Sequence, residues 1–384
     1  MICPPGSTFP NPLVANRREF LRLTSACAIA SAIAPSLPVR ALAAQPRRKV
    51  VIVTFGGGAR DEETFSPDGH ENISTLLHTL LPQSTFFAQV INRGILGHYV
   101  ATTSLATGVY ETFNNFTGDA PAHPTLFECF RKDLRRPAND AWVISPSNGF
   151  RNMGGSTDRR FGPGYGASVL LPKQLLSAAA PSRRSNDLDR LLRDTYEEPH
   201  AGVALPHTEA NLQQVEDVLR LSRDEFVQHA ISLGSADELS VYVARQLMQQ
   251  AAPSLLWITL HDIDMAHSGA YSLYIDGIQR TDRLCGEIWS AVQANPEYAG
   301  CTTMFVLPDF GRDSDTNPAG NGFQHHRTGD VASRTTWMMV LGPGVRHGVF
   351  VERPVDSMDL VPTVGRLLGF DTPVAQGRVL PEVL

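Results

Sequence analysis

A continuous apolar run that ends near an aspartate constrains the fold of this chain more than any other feature. Residues 304–307 (MFVL) show no alternation of polar and apolar side chains, which is typical of a strand buried on both faces of a parallel sheet. Asp309 follows after one proline, and a polar loop leads on to His325 and His326. Ligands of open α/β sheets bind where strands end. The stretch therefore predicts a functional site, unless Asp309 only caps a turn and the histidines are solvated.

Two other apolar runs are also followed by acidic residues or histidines. Residues 50–55 (VVIVTF) precede three glycines and Asp61. The segment after residues 255–260 (LLWITL) holds His261, Asp262, Asp264 and His267. Carboxylates and imidazoles three to five residues apart can converge on one cation. The three clusters together predict a metal site at one edge of a sheet.

Helical and strand patterns alternate along the chain. Helical spacing of apolar residues covers 72–81, 98–108 and 124–134, and Ser-x-x-Glu capping boxes open two more helices at Ser222 and Ser235. Alternation of this kind is typical of an α/β fold. We predict a three-layer sandwich, with a mainly parallel central sheet and helices on both faces.

The amino terminus has the parts of a twin-arginine signal peptide in the right order. Arg17-Arg18 precedes a mildly apolar stretch, 23–34, and a small-x-small cleavage site at Ala41-Leu42-Ala43. The alternative is an amphipathic first helix. We expect residues 1–43 to engage the twin-arginine export machinery, which places the protein in the periplasm or outside a prokaryotic cell.

We expect residues 44–384 to form one domain with a loop and helical insertion at about 148–252, because residues 148–181 have no clear periodicity. The 384 residues are 42% hydrophobic and 19% charged, with a net charge of −6. This balance gives no reason to expect nucleic acid binding, and no run is long enough for stable membrane insertion. Cys129, Cys285 and Cys301 fit neither a disulfide framework nor a thiolate zinc site, although a Cys285–Cys301 bridge remains open.

From about residue 50 to residue 373 the sequence resembles the alkaline phosphatase superfamily, which includes sulfatases, phosphodiesterases and phosphomutases. The segments that carry the resemblance are 305–309, Asp264 to His267, His325-His326, 104–108 (SLATG) and 359–363 (DLVPT) before 367–369 (LLG). The twin-arginine signal, Gly57-Gly58 and 309–312 (DFGR) resemble a poorly characterised exported branch of sulfatase-like members.

The resemblance implies a site for up to two divalent ions. One ion would be held by Asp262 or Asp264, by His267, and by His325 or His326. The other would be held by Asp61 or Glu63, by Asp309, by a histidine just after Asp309, and by the nucleophile. Zinc is the first expectation, with calcium, magnesium or manganese as alternatives, and the substrate would be a small anionic ester.

Two departures from the family pattern bear on catalysis. Phe310 replaces the histidine after Asp309, and His98 stands where the family has its hydroxyl or thiol nucleophile. His98 could be a metal ligand, a nucleophile that forms a phosphohistidine, or a bystander. Hydroxyl groups occur a helical turn or more away, at Thr102, Thr103 and Ser104. Arg312 could bind an ester oxygen or pair with Asp313 or Asp315.

The first hypothesis is therefore an exported metal-dependent hydrolase of phosphate or sulfate esters, with attack by metal-activated water. The alternative is a catalytically silent relative that binds an anionic ligand or a protein partner. A phosphomutase or group transferase is a weaker third hypothesis, because the sugar-phosphate and nucleotide pools lie mainly in the cytoplasm.

Overall fold

The computed structural model describes residues 48–161, 164–179, 186–192 and 216–384. The signal peptide predicted for residues 1–43 lies outside the described residues, as does part of the predicted insertion. Within the described ranges, no helix combines the length and the apolar character that crossing a membrane requires.

The centre of the molecule is one sheet. The strands that the structure describes are β1 Lys49–Thr54, β2 Ser84–Ile91, β3 Ala141–Ile144, β4 Ser168–Leu170, β5 Leu255–Thr259, β6 Thr302–Leu307, β7 Thr335–Leu341, β8 Val349–Val351 and β9 Val355–Asp356. Their order is β4-β3-β5-β1-β6-β7-β2-β8, and β9 also pairs with β2. Only β7 runs antiparallel to its neighbours. The predicted mainly parallel α/β sheet is confirmed.

The central strands are apolar throughout because helices cover both faces of the sheet. Every residue of β1, β5 and β6 is buried. Alternate residues of β1 belong to different cores: Val51 and Val53 pack on one side, and Val50 and Ile52 on the other. Burial on both sides removes the period-two pattern of a half-exposed strand.

Helices of the described part of the chain lie on both faces, which completes the predicted three layers. They are α1 His98–Thr107, α2 Leu126–Asp133, α3 Pro172–Ala179, α4 Asn186–Leu192, α5 Arg223–Ile231, α6 Ala236–Gln250, α7 Tyr271–Ala294, α8 Val331–Arg334 and α9 Leu360–Leu368. Apolar residues of α6 and α7 join the core on one face, and those of α1, α2 and α9 join the core on the other.

Two local predictions differ from the structure. The helix predicted at 72–81 is a 3-10 turn at Pro67–Ile73 followed by a π turn at Leu76–Leu80. Residues 148–181, predicted as a loop, contain β4 and α3. The strand has only three residues and pairs with β3 alone, so it leaves little periodic signal.

The three cysteines of the described residues are free, and no Cys285–Cys301 bridge forms. Burial raises the pKa of the Cys129 thiol to about 12 and that of Cys285 well above its usual range. Both thiols therefore stay protonated and unreactive.

Candidate metal centre

Three adjacent parallel strands bring the predicted clusters to one edge of the sheet. Thr54 at the end of β1 pairs with Thr259 of β5 and with Leu307 of β6. The segments that follow these strands therefore lie side by side, at the edge where open sheets bind ligands. The first residue of α1, His98, reaches the same edge.

Four side chains at this edge form a compact group: His98, Asp264, His267 and His326. One ligand atom of each residue lies within 4.8 Å of those of the others. Three of the four residues are buried, whereas the His267 side chain is 20% exposed. Solvent therefore reaches the group past His267.

The turn after β5 explains why Asp264, and not Asp262, belongs to the group. Asp262–Ser268 is a 3-10 helix, in which side chains three residues apart point the same way. Asp264 Oδ1 accordingly lies 3.2 Å from His267 Nε2. Asp262 points elsewhere and pairs with Arg280 at 2.9 Å.

His98 lies between two carboxylates. Its Nε2 is 2.9 Å from Asp264 Oδ1, its Nδ1 is 2.7 Å from Asp309 Oδ2, and the ring stacks on Phe310 with centroids 4.5 Å apart. Burial alone would lower the pKa of His98, but Asp264 and Asp309 outweigh it and raise the pKa to about 9. His98 is therefore an imidazolium that donates both N–H groups, and neither nitrogen has a free lone pair.

Arg312 adds a second buried cation beside Asp264. Its guanidinium is fully buried and donates to Asp264 Oδ1 at 2.7 Å, to the carbonyl of Gly58 at 3.0 Å and to that of Gly57. Arg312 thus pairs with Asp264 rather than with Asp313 or Asp315, and Asp315 pairs with Arg60. Burial would raise the pKa of Asp264, but His98 and the other neighbours lower it well below its usual range.

The two remaining histidines present nitrogen atoms to each other. His326 donates from Nδ1 to the Leu96 carbonyl at 2.9 Å, so its Nε2 carries the lone pair. That Nε2 lies 2.8 Å from His267 Nε2. Burial lowers the pKa of both rings, which favours their neutral form. Two neutral imidazoles and the Asp264 carboxylate are a donor set that suits a divalent ion with an open fourth position.

Other predicted ligands lie outside this group. Asp309 contacts His98 and lies 3.5 Å from Thr102 Oγ1. The ring of His325 is 6.3 Å from that of His267, and its buried Nδ1 has no hydrogen-bond partner. Asp61 and Glu63 follow β1, but neither belongs to the one group of potential ligands found in the described residues.

The ligands implied for a second ion are therefore not assembled around a common point. Glu63 is held by Arg60 Nε at 2.9 Å and by the Tyr274 hydroxyl at 3.1 Å. His98 Nε2 and the Arg312 guanidinium both contact Asp264 Oδ1, at 2.9 and 2.7 Å. Glu63 and Asp309 are each paired with a cationic side chain of the protein, Arg60 and His98 respectively.

Two further residues support the site: His261, which belongs to the predicted cluster after β5, and Asp237, which the sequence analysis did not select. His261 Nε2 is buried, has no hydrogen-bond partner and lies 3.6 Å from Asp264 Oδ2. Its spacing of three residues from Asp264 is one that lets a histidine and an aspartate converge on one cation. Asp237, in α6, accepts the backbone N–H groups of His261 and Asp262 at 2.8 Å. No local pattern marks Asp237, because its partners are more than twenty residues away.

The fold is that of the alkaline phosphatase-like class of α/β proteins. A protein in the alkaline phosphatase superfamily from Vibrio parahaemolyticus is similar over 97% of this chain and 80% of its own, with 14% identity and a TM-score of 0.50. A lipoteichoic acid synthase from Listeria monocytogenes matches over 88% and 74%, with 13% identity and a TM-score of 0.52. A phosphonate monoester hydrolase from Silicibacter pomeroyi matches over 88% and 76%, with 12% identity and a TM-score of 0.52.

No family model and no curated protein matches the sequence itself. At identities of 12–14% the three structures establish a shared fold.

Proposed function

We propose that the protein is a metal-dependent hydrolase of phosphate or sulfate esters, built around one divalent ion. Asp264, His267 and His326 would hold that ion, and zinc is the first candidate because the donors are two imidazoles and one carboxylate. The observation that carries the proposal is the approach of two neutral imidazole nitrogens, 2.8 Å apart, beside the Asp264 carboxylate.

The residues around the ion suit an anionic substrate. A bound divalent ion would supply a Lewis acid for the ester and a source of activated water. His98 and Arg312 place two further positive charges at the site, where charge on an ester oxygen is stabilised. Both nitrogens of His98 are already engaged by carboxylates, which favours water over His98 as the nucleophile.

A second candidate is a catalytically silent relative that binds an anionic ligand. The observation that favours it is the set of contacts on Asp264 Oδ1, which lies within 3.2 Å of nitrogen atoms of His98, His267 and Arg312. Such a network could neutralise the carboxylate permanently. The two candidates differ in whether metal supports turnover.

A panel of phosphate monoesters, phosphate diesters and sulfate esters tests the hydrolase. We expect turnover that chelation abolishes and zinc restores. The variant Asp264→Asn should lose at least a hundredfold in kcat/KM, because one charged ligand is removed. The matched control is Asp262→Asn, the same change two residues away on a side chain that pairs with Arg280, and it should stay within threefold of the wild type. Absence of turnover on the whole panel, or equal loss in both variants, would contradict the hydrolase.

Export through the twin-arginine pathway remains part of the proposal. The Arg17-Arg18 pair and the cleavage site at residues 41–43 support it. Replacing both arginines by lysine should retain the full-length protein in the cytoplasm, as measured by cell fractionation. Periplasmic accumulation of the double variant would contradict this route.

A further inference from the structure

We propose that a pocket beside the metal centre binds a second anionic group, so that the substrate carries another phosphate, sulfate or carboxylate besides the ester. This inference rests on the proposed function for the identity of the substrate, but the anion site itself does not. The pocket has a volume of about 560 Å3, which lies within the range of small-molecule sites.

The pocket shares residues with the metal centre. Leu96 and Gly97 line it. The Leu96 carbonyl also accepts the N–H of His326, a proposed ligand, and Gly97 immediately precedes His98. The pocket and the centre therefore meet at this backbone segment, and a substrate with two anionic groups would have to reach around it.

Two arginines supply the charge. Arg327 and Arg334 line the pocket, and no acidic residue does so among the residues the structure describes. Within the same residues, neither guanidinium has a carboxylate within ion-pair distance, whereas several other arginines do. In a chain with a net charge of −6, two adjacent cations without carboxylate partners favour an anionic ligand.

The two arginines are held in place by uncharged groups. Arg334 donates to the carbonyls of Asn92 and Gly94 at 3.2 and 3.0 Å. The Arg327 guanidinium lies 5.0 Å from the centre of the Phe116 ring. These contacts fix the side chains without neutralising them, and each guanidinium has five N–H donors to share.

The start of α1 does not provide this anion site. Asn115 Oδ1 accepts the N–H groups of Tyr99 and Val100 at 2.9 and 3.3 Å. The side chain therefore caps two donors of the first turn. Recognition of an anion in the pocket depends on the arginines.

The first experiment measures inorganic sulfate binding by isothermal titration calorimetry on the full chain after chelation, so that sulfate bound to a metal ion does not contribute. We expect Arg327→Gln to weaken binding at least tenfold, and Arg327→Gln/Arg334→Gln to abolish it. We expect Arg327→Gln to fold normally, because the described contact of the Arg327 guanidinium is with one exposed ring, that of Phe116. The control Arg346→Gln changes an exposed arginine in the turn after β7 and should bind sulfate like the wild type. Unchanged binding in the Arg327 variants would overturn the anion site.

The second experiment asks whether the anion belongs to the substrate. Two aryl phosphates are compared, one with a carboxylate on the ring and one without. Arg327→Gln should raise the KM of the carboxylated ester at least tenfold, leave that of the plain ester within twofold, and leave kcat unchanged for both. Equal effects on the two esters would overturn the substrate assignment and leave a site for free anions. Absence of turnover on both by the wild type counts against the proposed function, whereas the sulfate titration still decides the anion site.

Discussion

His98 determines how the metal-free site responds to pH. The pKa of this imidazole is about 9 in the folded protein, above the ordinary value of about 6.5. A raised pKa stabilises the fold below pH 6.5, and this contribution disappears as the pH rises through 9. It amounts to about 3 kcal/mol.

We therefore predict that the free energy of unfolding of the metal-free protein falls between pH 6.5 and 9, and that His98→Gln flattens this part of the curve. Urea unfolding of both proteins at a series of pH values provides the measurement. An equal slope in the variant and the wild type would show that His98 is not held between Asp264 and Asp309 as an imidazolium.

Gly57 allows the loop after β1 to approach the site. Its φ is +98°, and a Cβ there would lie 2.5 Å from the backbone nitrogen of Asp264. We predict that Gly57→Ala displaces Asp264 and lowers metal affinity at least tenfold. Gly344 has a similar φ of +86° with nothing within 4 Å, so Gly344→Ala carries the backbone strain of about 1 kcal/mol without the clash. Competitive titration with a chromogenic chelator compares the two, and equal affinities would exclude the clash as a cause.

Among the elements, α6 is joined by Asp237 to the 3-10 turn that contains the proposed ligands Asp264 and His267. Asp237→Ala would leave the N–H groups of His261 and Asp262 without their partner, at a cost of about 1–3 kcal/mol for the buried N–H of His261. We predict a lower melting temperature together with weaker metal binding. The control is Asp224→Ala, at the same position of the first turn of α5 but exposed, and it should change neither quantity. Normal metal affinity in Asp237→Ala would show that the turn holds its shape without α6.

Element types were predictable where the pattern arises within the element itself. The apolar runs of β1, β5 and β6 and the glycine that ends α1 needed no distant partner. The helix type of the segment around Leu76 was not predictable, because Asp282 of α7 accepts the N–H groups of Thr75 and Leu76 at 2.9 and 2.7 Å. A carboxylate more than two hundred residues away competes there with the regular hydrogen bonds of an α-helix.

At the scale of the whole molecule, the sequence predicted the layers and the edge of the sheet where the clusters meet. It left open which member of each cluster faces inward. Asp264 is selected over Asp262 by the three-residue period of a 3-10 turn, and His326 over His325 by its bond to the Leu96 carbonyl. The 3-10 turn and the hydrogen bond to Leu96 cannot be predicted from the sequence without the fold. The contact of His98 with both Asp264 and Asp309 likewise joins three segments far apart in the chain.

We propose that a single divalent ion binds Asp264, His267 and His326. Elemental analysis of the purified protein, after dialysis against a trace of zinc, tests it most directly. We predict one ion per chain in the wild type and in Asp262→Asn, and less than a tenth of an ion in Asp264→Asn. Two ions per chain, or none in the wild type, would contradict the claim.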